Sequence, residues 1–106
     1  MVGRMKKLVA IDSSATKELD SFPIEVRIRF NDLFEILSKE SRLEMPFAKK
    51  IADNLFEIRV KDKGQWRVTY AYILKNQILI LSAFQKKTQK IPKKELTTAL
   101  KRLKKY

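Results

Sequence analysis

Residues 54–87, NLFEIRVKDKGQWRVTYAYILKNQILILSAFQKK, carry the pattern of three consecutive β-strands. Apolar and polar residues alternate with a period of two, β-branched and aromatic residues are frequent, and short polar turns separate the runs. The third run, ILILSAF, is the most apolar in the chain and ends close to a pair of lysines. We predict a small antiparallel sheet with strands near 55–61, 66–74 and 78–86.

The turn between the first two strands predicts their register. Asp62-Lys63-Gly64 suits a three-residue loop in which Gly64 takes the left-handed position, so that Arg59 lies opposite Arg67. A two-residue turn would place Arg59 among the apolar side chains, because a shift of one residue moves every side chain to the other face. The predicted core face consists of Phe56, Ile58, Val60, Trp66, Val68, Tyr70 and Tyr72.

Amphipathic helices are predicted on both sides of this segment. A helix over 23–40 begins at Pro23, a helix over 92–104 begins at Pro92, and each carries an apolar stripe at helical spacing. The first stripe is Val26, Phe30, Leu33, Phe34 and Leu37, and the second is Leu96, Ala99, Leu100 and Leu103.

The remaining segments complete an α+β order. Residues 6–11 predict a short strand, Ser13 or Ser14 can cap a short helix near 14–20, and the segment around Pro46 is interpreted as a connector. The order β-α-α-β-β-β-α predicts one α+β domain over residues 1–106, with the N-terminal helices packed on the sheet.

The composition excludes several classes of protein. The 106 residues contain no cysteine and no histidine, so the sequence offers no disulfide, no cysteine nucleophile and no soft-metal site, and we expect neither metal nor cofactor. The N-terminus is too charged for a signal peptide, and no segment approaches the ~20 apolar residues that span a bilayer. We therefore expect a cytoplasmic protein without membrane contact.

Positive charge is concentrated in the C-terminal part of the chain. The formal net charge is +12, and residues 63–106 contribute +11 of it, because they hold 12 Lys and Arg against Glu95 alone. This one-sided distribution predicts a polyanionic partner, either nucleic acid or an acidic protein. A merely solvated basic surface is the alternative.

Four cations converge at one edge of the predicted sheet. Arg59 and Arg67 face each other across the hairpin, and Lys86 and Lys87 end the third strand beside them. The two arginines repel each other, and Glu57 could relieve part of this repulsion. Alternation sends one lysine to each face, and the sequence leaves open which one joins the arginines. The lysines could serve only to protect the sheet edge, and the arginines could point apart into water. A shared phosphate, bound by the guanidinium fork, explains the convergence of all four.

A ribonuclease can be built from these residues. RNA supplies its own nucleophile, the 2′-hydroxyl, so the protein needs a base, an acid and stabilisation of the phosphorane charge. In the absence of histidine, Lys86 or Lys87 could act as the base. Arg67, on the central strand, would be the main transition-state stabiliser. Arg67→Ala is expected to abolish this activity and to leave the fold intact, because Arg59 would lose a repulsion. Phosphate binding without chemistry is the rival hypothesis.

The segment from Asn54 to Leu103 resembles the RelE/ParE toxin superfamily and, more narrowly, its phage-derived HigB-like branch. The motifs that match are the strand Leu55–Arg59, the strand Arg67–Tyr70, and the Phe84–Thr88 strand end followed by Pro92 and a helix. Their order and spacing together are more specific than any one motif.

The resemblance implies a compact toxin fold with a helical pair packed on a curved antiparallel sheet. It implies metal-independent cleavage of mRNA on the ribosome, inhibition of translation, and neutralisation by a cognate antitoxin, which we expect to be a small helix-turn-helix protein. ParE-type relatives poison gyrase instead, so the fold alone leaves the target open.

The resemblance also assigns site residues. It places Arg59, Arg67, Lys86 and Lys87 in the active site, with Tyr70 and Tyr106 as further catalytic candidates, although alternation puts Tyr70 on the core face. The residues that we expect to bind RNA around this site are Lys49, Lys50, Lys61, Gln85, Thr88 and Lys90.

Overall fold

The structure is a computed structural model that describes residues 7–74, 76–87 and 92–106. These ranges form, in order, β1 (Leu8–Ile11), α1 (Ser13–Asp20), α2 (Ile24–Glu40), β2 (Ala48–Ala52), β3 (Leu55–Lys61), β4 (Gln65–Ile73), β5 (Gln77–Lys86) and α3 (Lys93–Leu103). The α+β prediction is confirmed, and the predicted strands and helices begin and end within one or two residues of the observed ones.

The five strands form one sheet in the order β1-β5-β4-β3-β2. The predicted meander of β3, β4 and β5 is antiparallel. β2 pairs with β3 at one edge of the sheet and is also antiparallel, whereas β1 pairs with β5 at the other edge in parallel. The interpretation of the Pro46 segment as a plain connector was wrong, because it contains β2. Lys49 and Lys50 hide the strand pattern there, and lysines are a common feature of exposed edge strands.

The β3–β4 hairpin has the predicted register, with Arg59 paired to Arg67 across the strands. The left-handed residue of its loop is Lys63, with φ 51°, and not Gly64, as predicted. Gly64 has φ 154°, and a Cβ at this position would lie 3.0 Å from Nε2 of Gln85. Glycine is suited to this position by its backbone conformation, whereas the Gln85 amide at the end of a flexible side chain could move aside.

The principal core lies between the sheet and the α1–α2 pair. The α2 stripe from Val26 to Leu37 is buried as predicted, and so are Ile58, Val60, Val68 and Tyr70 on the sheet. Phe56, Trp66 and Tyr72 pack against this cluster, so the predicted core face is confirmed. Burial of these side chains on one face is what fixes the register of the strands.

A second, smaller core lies on the other face of the sheet, under α3. Its buried members are Leu55, Ala71, Leu79, Leu81 and Ala99, against which Leu96 and Leu103 pack. Leu100 belongs to the apolar stripe from which we predicted the buried face of this helix, but it is 38% exposed. Leu96, Ala99 and Leu103, spaced at i, i+3 and i+7, already form the contact stripe of the helix, and Leu100 lies at its margin.

The cap of α1 also differs from the prediction. Asp12, and not Ser13 or Ser14, is the N-cap residue, and its Oδ1 accepts hydrogen bonds from the backbone N–H groups of Ser14 (2.9 Å) and Ala15 (3.3 Å). The helix begins at Ser13, and aspartate caps a helix about as well as serine does.

None of the helices that the structure describes is long and apolar enough to cross a membrane.

Candidate functional site

Three rows of side chains lie on the sheet face opposite the principal core. Residues that pair directly on neighbouring strands point to the same face, and the registers of β2 to β5 therefore define the rows. They are Lys49, Glu57, Thr69 and Ser82; then Arg59, Arg67 and Phe84; then Lys61, Gln65 and Lys86. We call these three rows the polar face. The second core, under α3, covers the neighbouring part of the same side of the sheet.

A bulge in β5 determines which lysine joins the arginines. Thr69 pairs with Ser82 and Tyr70 with Ile80, so that Leu81 is an extra residue in β5. The bulge shifts the alternation by one residue. Lys86 consequently pairs with Gln65 and lies on the polar face. The exposed Lys87 follows the last residue of β5.

Glu57 lies at the centre of the polar face and is fully buried. Its Oε1 atom lies 3.3 Å from Nε of Arg67 and 3.5 Å from Nε of Arg59. The repulsion expected between the two paired arginines is therefore offset by one carboxylate that contacts both. Glu57 was expected to relieve part of this repulsion, but its complete burial was not predicted, because a single glutamate among cations does not reveal that it will be buried.

The guanidinium of Arg67 is held by groups of the protein itself. The residue is only 5% exposed, and Nη1 donates to the Trp66 carbonyl oxygen and Nη2 to Oε1 of Gln65, both at 3.1 Å. Nε lies within ion-pair distance of Glu57 but is not aligned for a hydrogen bond, and Oε2 of Glu57 has no hydrogen-bond partner among the described residues. Arg67 is thus a fixed positive charge behind the surface.

Burial lowers the pKa of Arg67, since it penalises the charged guanidinium. Glu57 opposes this shift, whereas the like charge of Arg59 adds to it. An arginine side chain nevertheless remains protonated in proteins. The side chain of Arg59 is 32% exposed, so Arg59 is the arginine of this pair that solvent or a ligand can reach.

The two tyrosine candidates lie away from the polar face. Tyr70 belongs to the principal core, where its ring stacks on Phe56 with 5.2 Å between centroids, and burial raises its pKa. Its assignment as a catalytic candidate therefore does not fit the structure. Tyr106 does fold back, but its hydroxyl donates to Oδ2 of Asp12 at the start of α1 (2.9 Å) rather than to the arginines.

The residues predicted to bind RNA are divided between the two faces. Lys49 and Lys61 are exposed on the polar face, whereas Lys50 pairs with Phe56 and Gln85 with Trp66, which places both on the opposite face. Thr88 and Lys90 lie outside the described residues. Gln65, which the sequence analysis missed, belongs to the site because it holds Arg67 and pairs with Lys86. Its position directly beyond the predicted turn is the signal that could have identified it.

No group of acidic side chains within residues 7–74, 76–87 and 92–106 is arranged to hold a metal ion. The ionisable groups of the polar face are the guanidinium groups of Arg59 and Arg67, the ammonium groups of its lysines and the carboxylate of Glu57.

The fold is that of RelE toxins. An E. coli RelE mutant in the free state superposes with a TM-score of 0.73 at 18% identity, covering 93% of this chain and 99% of that chain. A chain of the intact E. coli RelBE toxin–antitoxin complex gives 0.65 at 18% identity, covering 77% and 99%. A chain of the RelB–RelE antitoxin–toxin complex from Methanococcus jannaschii gives 0.60 at 18% identity, covering 83% and 94%. These similarities confirm the predicted RelE-type fold.

The sequence comparisons give the family. None of the curated proteins matches the chain at a significant level. Residues 17–104 match the family described as Phage derived protein Gp49-like (DUF891). The resemblance to the RelE superfamily is thus confirmed at the level of the fold, and the HigB-like branch stays a prediction. Because the match covers most of the 106 residues, the chain belongs to the phage-derived Gp49-like family.

Proposed function

We propose that this protein is the toxin of a toxin–antitoxin system and that it inhibits translation in the cytoplasm by cutting mRNA on the ribosome. The observation that carries the proposal is the polar face, where Arg59, Arg67 and Lys86 lie on three neighbouring strands around one buried carboxylate. The RelE-type fold and the concentration of positive charge in residues 63–106 support the same function.

The proposed roles follow from the exposure of each side chain. Arg59 is accessible, so its N–H groups can contact the scissile phosphate, for which the guanidinium fork is well suited. Arg67 is already fixed by Gln65 and the Trp66 carbonyl group, and a charge that needs no rearrangement is the kind that stabilises a transition state. The two arginines and Glu57 together carry a net charge of about +1.

The 2′-hydroxyl of the RNA would be the nucleophile in this mechanism. Lys86 is the proposed base because it shares the polar face with the arginines, and it must be in its neutral form to accept the hydroxyl proton. Lys87, which directly follows β5, is the second candidate. The charge that develops on the phosphorane oxygens would then lie against the arginine row. The bond between phosphorus and the 5′-oxygen breaks, and the 5′-oxygen takes a proton from water, which leaves a 2′,3′-cyclic phosphate and a 5′-hydroxyl.

Primer extension on translating mRNA tests this function. Expression of the wild-type chain without an antitoxin should produce breaks within coding regions while translation stops. A chain that binds RNA but produces no breaks would be a binding module. Loss of supercoiling activity in a gyrase assay, with intact mRNA, would indicate a ParE-like poison.

We also propose that a cognate antitoxin covers the basic surface with acidic or apolar segments, and that it is a small helix-turn-helix protein. The net charge of +11 in residues 63–106 supports an acidic partner. Co-purification from the native operon tests this pairing. A chain that is expressed alone at high level without arresting growth would contradict it.

A further inference from the structure

A small cavity lies beside the polar face, where β2 begins. Arg29, Asp32 and Leu33 of α2 line it together with Arg59 and Phe47, and its volume is about 170 Å³. A cavity of about 150 Å³ can hold one benzene ring. The cavity is therefore large enough for one aromatic ring system.

Phe47 is the unusual member of this lining. It is 50% exposed although it is a large apolar residue. Its carbonyl oxygen accepts a hydrogen bond of 2.9 Å from the backbone N–H of Arg59. The exposed ring is thus tied by the backbone to a residue of the polar face, and it stands next to the arginine that a phosphate can reach.

The charges of the cavity favour an anionic ligand. Nη1 of Arg29 donates to the Lys61 carbonyl oxygen at 2.8 Å, which holds this guanidinium at the cavity, and the structure gives it no second partner among the described residues. Arg29 and Arg59 outnumber Asp32, the one carboxylate of the lining. Exposed aromatic rings beside arginines are the means by which proteins bind single-stranded nucleic acid, through base stacking and phosphate contacts.

We propose that this cavity is a nucleotide subsite, in which the Phe47 ring stacks on a base of the substrate RNA while Arg29 and Arg59 contact the adjoining phosphate. The subsite rests on the proposed RNA substrate and deepens it, since Arg59 belongs both to the cavity and to the polar face. The base held at Phe47 would be a neighbour of the scissile position, and its phosphate would be positioned by the shared arginine.

Equilibrium binding tests the subsite without requiring cleavage. The probe is a fluorescein-labelled octamer of 2′-O-methyl RNA, which has no free 2′-hydroxyl nucleophile, measured by fluorescence anisotropy with the full chain. Phe47→Ala and Phe47→Leu should each weaken binding by roughly 5- to 150-fold, the range found when a stacking ring is removed. Phe47→Trp should keep the wild-type affinity. Ile24→Ala is the matched control, because Ile24 is an apolar residue of α2 that is 59% exposed and does not line the cavity.

Two further measurements separate stacking from charge. An abasic octamer offers no base for the Phe47 ring. The wild-type chain should therefore bind it as weakly as the Phe47→Ala variant binds the normal octamer. For the same reason, Phe47→Ala should not lower the affinity for the abasic octamer further. Arg29→Ala should lower the slope of log K against log salt by about 0.7, the value for one phosphate contact on a single strand. Phe47→Ala should leave that slope unchanged.

The outcomes also distinguish this inference from the proposed function. If the Phe47→Ala and Phe47→Leu variants cleave mRNA at the wild-type rate and bind the octamer with unchanged affinity, the subsite is wrong and the proposed function is unaffected. Octamer binding that depends on Phe47, without any mRNA cleavage, would support the subsite and overturn the function. Failure of the wild-type chain to bind the octamer, or loss of antitoxin binding alone in the Phe47 variants, would overturn the subsite.

Discussion

Glu57→Gln should destabilise the protein far more than its conservative chemistry implies. The substitution keeps the size of the side chain and removes the charge that contacts Arg67 at 3.3 Å and Arg59 at 3.5 Å. At an effective dielectric constant of about 20, one such pair interacts by about 5 kcal/mol, and the desolvation of the buried carboxylate offsets part of this.

The net effect follows from the burial of the partners. Removing one member of a buried ion pair typically costs about 3–5 kcal/mol, because the other charge remains buried without compensation. Arg67 is in this situation, whereas Arg59 is 32% exposed and water screens its contribution. We therefore expect a loss of about 3 kcal/mol, with a fall in Tm of about 4–8 °C for each kcal/mol.

Urea denaturation measures this loss as a shift of the midpoint at an unchanged m-value. Glu35→Gln is the matched control, because Glu35 forms an ion pair with Lys39 on the surface of α2, and its side chain is 68% exposed. That substitution should change the free energy of unfolding by less than about 0.5 kcal/mol. The double variant Glu57→Gln, Arg67→Gln should be more stable than the sum of the two single effects predicts, because it leaves neither of the two charges buried.

A free energy of unfolding of Glu57→Gln within about 0.5 kcal/mol of the wild-type value would contradict this prediction. It would mean that the carboxylate does not hold the two arginines together, and that their close approach in the register has another cause.

Three further predictions concern the surroundings of the polar face. Burial would raise the pKa of Asp12, but hydrogen bonds from Tyr106, Ala15 and Ser14 and the charge of Arg102 outweigh this effect and hold the pKa below the ordinary 3.8. The ionised carboxylate therefore stabilises the folded state. The loss of stability in Asp12→Asn, measured by urea titration, should be constant above about pH 5 and should vanish as the pH falls through the folded-state pKa. A deficit that grows at low pH would contradict this assignment. Tyr106→Phe removes the hydrogen bond to Asp12 and should lower the Tm slightly without changing the rate of mRNA cleavage, whereas a large loss of cleavage would return Tyr106 to the catalytic site. The double variant Lys104→Ala, Lys105→Ala should only weaken RNA binding, and the slope of log K against log salt should become shallower because phosphate contacts are lost. A loss of cleavage at saturating protein would show that the C-terminal helix, and not the polar face, carries the activity.

Much of the fold follows from short-range patterns. The β3–β4 hairpin was predictable because the Asp62–Gly64 turn and the alternation of apolar residues favour the same register, and α2 because its stripe is wide. β2 was not, since its lysines hide the alternation on an edge strand. The parallel pairing of β1 with β5 joins segments almost seventy residues apart, and a local pattern carries no information about such a partner.

The candidate site was predictable in its composition but not in its internal contacts. The pairing of Arg59 with Arg67 followed from the turn. The place of Lys86 did not, because counting by twos from Ile78 and Ile80 puts it on the core face, and only the bulge at Leu81 moves it to the polar face. The sequence suggests that Glu57 relieves the repulsion of the arginines, but not that it is fully buried on β3 between β2 and β4.

The burial of Glu57 also changes what is expected of Arg67 variants. The sequence predicts that Arg67→Ala relieves a repulsion and leaves the fold intact. In the structure Arg67 is the buried partner of Glu57, so its removal leaves that carboxylate with Arg59 alone, and some loss of stability is expected. Activity must therefore be measured at a temperature at which the variant is shown to be folded.

The most direct test of the polar face as a catalytic site is the single-turnover rate of mRNA cleavage on programmed ribosomes by Arg67→Gln, assayed while folded. The rate should fall because a fixed positive charge behind the scissile phosphate is lost, by up to about 10²–10³, the cost of losing one preorganised donor, while ribosome binding changes little. Arg67→Lys should recover only a small part of the rate, because an ammonium group cannot reproduce the guanidinium contacts to Gln65 and the Trp66 carbonyl group. Cleavage at the wild-type rate by folded Arg67→Gln would show that the polar face is not the catalytic site.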